Sequence, residues 1–200
     1  TLSDRVLYDA IVATLRSRIE AGLLGAEITI WPRGLSADKA WDKFERCPLD
    51  VGQDFVARAD ITGFYESIDH ELLRDVLIDL TGRRQEVNAL IEFLSRAMQS
   101  TKGVPQGLDA SDPLATAFLS SVDAHMARSG VTYFRHGDDI RICSSTRAAA
   151  RSSLFEFERC LREIGLLVNS TKSVIMTLEE YKALLQIGIE IEEGTRTALS

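Results

Sequence analysis

Three carboxylates carry the chemistry that this sequence most plainly offers. Two are adjacent, Asp138 and Asp139, inside the β-prone run YFRHGDDIRIC at 133–143. The third, Asp60, closes the alternating segment FVARAD. Neighbouring carboxylates repel, and one of a pair ordinarily takes up a proton. A divalent cation removes that penalty, and hard oxygen donors on a rigid turn suit Mg²⁺. An ordinary acidic turn is the alternative for GDD alone, because Asp is common in turns. The apolar flanks on both sides weigh against it. Asp60 alone could equally be a strand-end cap, although a charge there is costly unless paired or metal-bound. Pairing of Asp60 with Asp138 across a sheet would give two-metal chemistry. One ion would lower the pKa of an attacking hydroxyl, and the other would steady the leaving oxygen and phosphates.

These residues need a frame. Gly137-Asp138 suits a two-residue hairpin turn, whose first central residue must tolerate positive φ. His136 and Asp139 then face each other, and Asp138 projects from the tip. The pattern predicts a strand over 55–65 ending in a turn at Gly63, then a helix from 70 capped by Asp69 and stopped by Gly82. Helices are also expected over 4–20, 36–47 with Ser36 as cap, 85–99, 113–130 with Pro113 in the first turn, and 148–165. Residues 22–36 read as loop or short strand, and 101–113 as loop. LLVN (166–169) and KSVIM (172–176) read as short strands. LEEYKALLQ (178–186) reads as a helical turn or two, and 187–199 as a strand and a turn. The order implies an α+β fold: a small, mostly antiparallel sheet backed by helices.

Composition bounds the alternatives. At 200 residues and 45% hydrophobic, the chain fits one domain with a real core, or one domain plus a small lobe. The net charge of −7 argues weakly against a nucleic-acid partner, since charge distribution matters more than its sum. The three cysteines lie far apart without CxxC spacing, which points to a reducing, cytosolic compartment. No charged-then-apolar leader follows Thr1, and the apolar runs are too short to cross a bilayer.

Taken together, the segments resemble the palm of a reverse transcriptase. DITGFYESIDHELL is similar to the first catalytic motif, an Asp followed five residues later by an aromatic. KGVPQGLDASDPLATAFL is similar to the second, a G-x-P-Q-G loop, Ser and a long helix. FRHGDDIRI matches the third and GLLVNSTKSVIM the fourth. The resemblance implies a right-hand polymerase palm with partial fingers and no visible thumb. Residues 1–54 would be partial fingers and lead-in. Residues 55–200 would be palm and the start of a primer-grip hairpin.

It also implies roles. Asp60 and Asp138 would bind two Mg²⁺ ions, for which Mn²⁺ can substitute, with Asp139 in support and the Ile61 carbonyl as a further ligand. Tyr65 would gate the sugar against a 2′-OH; a core aromatic is the alternative. Pro105, Gln106 and Gly107 would shape the loop against the nascent base pair. Lys172 would protonate the leaving pyrophosphate or neutralise its charge, unless it is a plain surface lysine. Arg33 and Lys39 lie where fingers segments contact triphosphate or template, with a solvated charge as the even alternative. His136 stands where the family carries an aromatic, steadying Asp139 or replacing that ring beside the primer end.

The implied activity is RNA-directed DNA polymerisation: dNTPs added to the 3′-OH of a DNA or RNA primer on an RNA template. A thumb or accessory domain would lie beyond residue 200. Among bacterial cytoplasmic relatives the motifs look closest to retron or phage-defence types, with group II intron enzymes also related. The alternative is a catalytically silent palm that serves as a nucleic-acid or partner-binding scaffold.

Overall fold

The computed structural model describes residues 2–23 and 36–186. The expectations for Arg33 and for 187–199 fall outside them. The element order is α1 (Leu2–Gly22), α2 (Ala37–Val51), β1 (Phe55–Asp60), α3 (Phe64–Ser67), α4 (His70–Thr81), α5 (Arg84–Met98), α6 (Ser111–Phe118), α7 (Ser120–Arg128), β2 (Thr132–His136), β3 (Asp139–Ser144), α8 (Arg147–Glu163) and β4 (Val174–Thr177). Residues 178–186 are helical. No helix among the described residues is long and apolar enough to cross a membrane.

The chain forms two compact units. One comprises Thr1–Glu27, Ile61–His125 and Glu158–Val168 and is helical. In α1, Tyr8, Val12, Leu15 and Ile19 recur at helical spacing and are buried. That stripe packs against α4, α5 and α6. Tyr8 also stacks on Phe93 of α5, with ring centroids 5.6 Å apart. Asp69 caps α4 by accepting from the Glu71 and Leu72 N–H groups, and Gly82 ends it at φ 66°.

The other unit comprises Ile28–Asp60, Met126–Phe157 and Asn169–Ser200. Its centre is a four-stranded antiparallel sheet in the order β2-β3-β1-β4. Side chains alternate between the faces of a strand, so consecutive Tyr133 and Phe134 point opposite ways. Phe134 packs on Phe44 and Cys47 of α2. Tyr133 meets Phe157 of α8, with centroids 5.7 Å apart. Each face of the sheet is thus backed by a helix, and the expected α+β architecture is the one observed. Tyr181 of the 178–186 helix joins Val56 and Cys143 on the α2 side.

Three expectations were too long or too regular. The strand predicted over 55–65 stops at Asp60. Ile61 makes only an isolated bridge with Val168, the Thr62 N–H turns to the Leu167 carbonyl, and Gly63 at φ 50° opens α3. The helix expected over 113–130 is two helices joined at Leu119. LLVN gives the single bridge at Val168 instead of a strand. Ser36 stands at the N-cap of α2 without a side-chain cap bond, and that helix runs on through Pro48 to Val51.

Candidate active site

The sheet unit gathers the carboxylates at one end of its two central strands. Gly137 has φ 62°, the left-handed region that glycine enters without a Cβ clash. This closes the β2–β3 turn in two residues and sets His136 opposite Asp139. On the other side of β3, Asp139 pairs with Asp60 of β1. Residues 60, 136 and 139 therefore share one rung, and Asp138 occupies the turn beside it.

Each carboxylate meets a different environment. Asp60 Oδ1 accepts from Lys172 Nζ at 3.0 Å, and its Oδ2 accepts from Asn169 Nδ2 at 3.2 Å. Asn169 also donates its backbone N–H to the Asp60 carbonyl at 2.7 Å. Asp139 lies 3.6 Å from the Arg141 guanidinium. Asp138 has no ion-pair partner among the described residues. Burial pushes its carboxyl above the usual range, the charges of Asp139 and Asp60 push the same way, and Lys172 opposes them. Lys172 is pushed up in turn, first by its hydrogen bond to Asp60.

Arg141 is fully buried, and sequence reasoning gave it no role. Its Nε donates to Tyr181 Oη at 3.1 Å and its Nη1 to the Ile140 carbonyl at 3.0 Å, while Nη2 lies 3.5 Å from Glu45. Its guanidinium carbon sits 4.7 Å from the Phe44 ring centroid, a cation–π distance. Tyr181 Oη donates onward to the Glu45 carbonyl at 2.9 Å. The signal in the sequence was an arginine inside the apolar strand IRIC, two residues after the aspartate pair. Asn169 belonged to the fourth motif without an assigned task, and here it braces Asp60. His136 lies in an aromatic group, edge-on to Trp41 at 5.4 Å and tilted against Phe44 at 5.7 Å.

The helical unit brings together a second set. The Val104 N–H bonds the Tyr65 carbonyl at 2.9 Å, which ties the 103–107 loop to α3. Tyr65 is half-buried, and its Oη donates to Asp112 Oδ1 at 2.8 Å. Ser111 Oγ donates to the Pro105 carbonyl and pairs with Tyr8 Oη at 2.8 Å. His70 is buried behind the loop, with Nε2 2.7 Å from the Gly103 carbonyl. Gly107 has φ 75° and no protein atom near an added Cβ, so its conformation accounts for the glycine. Gln106 lies in the same loop, and Ile61 is buried in this unit at its bridge to Val168. Lys39 falls in the first turn of α2, in the sheet unit.

Three comparisons bear on this arrangement. The sequence profile of the family described as reverse transcriptase (RNA-dependent DNA polymerase) matches residues 5–191. The retron Ec48 reverse transcriptase of Escherichia coli is 29% identical over 129 residues, which is 62% of this chain and 31% of that protein. The chain therefore spans about a third of the length of that curated relative. Among solved structures, apo telomerase from Candida tropicalis aligns with a TM-score of 0.61 at 12% identity, covering 84% of this chain and 37% of that one. Telomerase from Candida albicans in complex with a TWJ fragment of telomeric RNA aligns with a TM-score of 0.61 at 11% identity, covering 84% and 34%. At such identity these structures speak for the fold alone.

Proposed function

Because the chain belongs to the reverse transcriptase (RNA-dependent DNA polymerase) family, we propose that it is the catalytic part of an RNA-directed DNA polymerase that extends a primer 3′-OH with dNTPs. The observation that carries this reading is the rung joining Asp60 and Asp139 with Asp138 in the adjoining turn. The donor set is all oxygen, and one member is a carboxyl held partly out of water beside two others. Such a set fits hard divalent cations such as Mg²⁺ or Mn²⁺. When bound, two such ions supply activation of the attacking hydroxyl and stabilisation of the leaving oxygen.

On this reading Asp60, Asp138 and Asp139 hold the ions, with the Ile61 carbonyl as a further ligand. Asn169 and Arg141 fix the directions of Asp60 and Asp139. Lys172, 64% exposed at the side chain, is the cation that would exchange Asp60 for the pyrophosphate charge. Tyr65 sets sugar choice, its hydroxyl anchored on Asp112 so that the ring has one orientation. The Pro105–Gly107 loop, fixed through Ser111, presents backbone to the base pair. An RNA template, a DNA or RNA primer and a bacterial retron or defence setting are part of the same proposal.

Primer extension on a primed RNA with Mg²⁺ tests it. Incorporation of dNTPs, lost in Asp138→Ala and on chelation, is the expected result. No incorporation on any primed RNA, or equal rates in the variant, would sink the reading. The charged contacts that already engage Asp60 and Asp139 favour one second reading, a silent palm acting as a scaffold. That reading requires RNA or protein binding indifferent to Mg²⁺ and to loss of Asp138.

A further inference from the structure

Helix α8 opens with arginines, Arg147 and Arg151, and has no acidic residue in its first turn. That is the unfavourable end for positive charge, because the helix dipole places its own positive pole there. Thr146 caps the end by accepting from the Ala149 N–H at 3.1 Å, but it adds no negative charge. The later arginines of the same helix are neutralised by neighbours: Arg159 pairs with Glu163 and Arg162 with Glu158. Arg151 has no such pair among the described residues. Arg147 reaches the Ile175 carbonyl at 3.5 Å, and its charge is felt by Glu180, which already accepts two bonds from Thr177.

Both arginines line a groove of about 690 Å³ whose other wall is Ser173, Val174 and Ile175 of the β4 edge. Beyond the lining residues, Phe155 stands one turn past Arg151 on the same helix face and is 64% exposed. The groove lies on the α8 side of the sheet, the side of Tyr133, whereas His136 and Arg141 lie among aromatics on the α2 side. In a chain of net charge −7, two guanidinium groups on one groove, with a flat exposed ring one turn further along the same helix, form a local exception.

We infer that this groove binds single-stranded nucleic acid apart from the carboxylate site. Arg147 and Arg151 fork onto successive phosphates, and Phe155 offers its ring to an unpaired base.

The test is fluorescence anisotropy of a labelled oligouridylate with the chain in EDTA, repeated across a salt series. Binding in EDTA needs no nucleotidyl transfer, so this inference stands or falls separately from the polymerase reading. Arg147→Ala/Arg151→Ala is expected to weaken binding about tenfold and to flatten the salt slope by about 1.4, two contacts at roughly 0.7 each on a single strand. Phe155→Ala is expected to weaken it roughly fivefold with the slope unchanged. Thermal melts check folding, and Arg151→Ala alone serves if the double variant does not fold. Unchanged affinity and slope in Arg151→Ala and Phe155→Ala overturn the inference. So does polyglutamate binding that depends on the arginines while the RNA binds as before, since the groove would then serve an acidic protein partner.

Discussion

Arg141 Nη1 lies 3.6 Å from Asp139 Oδ1, with the arginine side chain shut away from water and the carboxylate 30% exposed. Removing one member of a buried pair strands the other, at a cost of about 3–5 kcal/mol. Here the lower end applies, since Glu45 and Asp139 both keep some access to solvent. Arg141→Met is expected to lose about 3 kcal/mol in urea denaturation and at least about tenfold in nucleotide incorporation, the equivalent of one 1.36 kcal/mol step in the barrier. Arg141→Lys keeps the charge but cannot fork between Tyr181, Glu45 and Asp139. It should fall between the wild type and the methionine variant on both measurements.

Asp138 predicts the opposite balance. Its carboxyl is disfavoured as an anion by burial and by two like charges, so the metal-free fold carries a local repulsion. Asp138→Asn should leave the metal-free protein as stable or up to about 1 kcal/mol more stable, as in other stability–activity trade-offs. Mg²⁺-dependent extension should be lost. A clear drop in the melting temperature of the metal-free variant would contradict this account.

The proposed sugar gate at Tyr65 can be tested apart from its hydroxyl bond. Tyr65→Phe keeps the ring and loses the 2.8 Å bond to Asp112, at a cost of about 1 kcal/mol. Its preference for dNTP over NTP should persist. Tyr65→Ala should incorporate both, measured as the ratio of the two kcat/KM values. An unchanged ratio would show that the ring does not face the sugar.

The start of the 178–186 helix supplies the pH dependence. Glu180 accepts from the Thr177 N–H at 2.7 Å and Thr177 Oγ1 donates to it at 3.0 Å, while the Glu180 N–H lies 3.2 Å from Thr177 Oγ1. This is a reciprocal capping box, and the backbone bond is the first cause of the lowered Glu180 pKa. A depressed carboxyl stabilises the fold above its ordinary value of 4.5 and loses that contribution as pH falls through the folded value. The gap in melting temperature between wild type and Glu180→Gln should therefore shrink on acidification below about 4.5. A gap that is constant with pH would count against it.

The hairpin was legible because its information is local: a Gly-Asp turn fixes the register, and the register fixes which residues face one another. The Asp69 cap and Gly82 stop were legible for the same reason. Arg141 was not. An arginine alternating with isoleucines reads as a strand residue turned to water, and its burial is caused by α2 and Tyr181, far away in sequence. The end of β1 was misplaced because ITGFY keeps an apolar, strand-like composition. What stops the strand is the distant Leu167 carbonyl, which takes the Thr62 N–H. Tyr65 consequently belongs to a helix and not to a strand end.

The sheet order has a consequence for how the protein comes into being. β1 emerges early, but both of its neighbours, β3 and β4, are encoded far downstream. The rung of Asp60 and Asp139 cannot close until a loop of nearly eighty residues has been gathered in, and long-range pairings of this kind form slowly. Lys172 and Asn169 arrive later still. A chain stalled on the ribosome before β3 therefore carries an unpaired central strand and an aspartate without its site. Such a strand is an opening for misassociation, while the helices between β1 and β2 are the part of the sequence that can fold first.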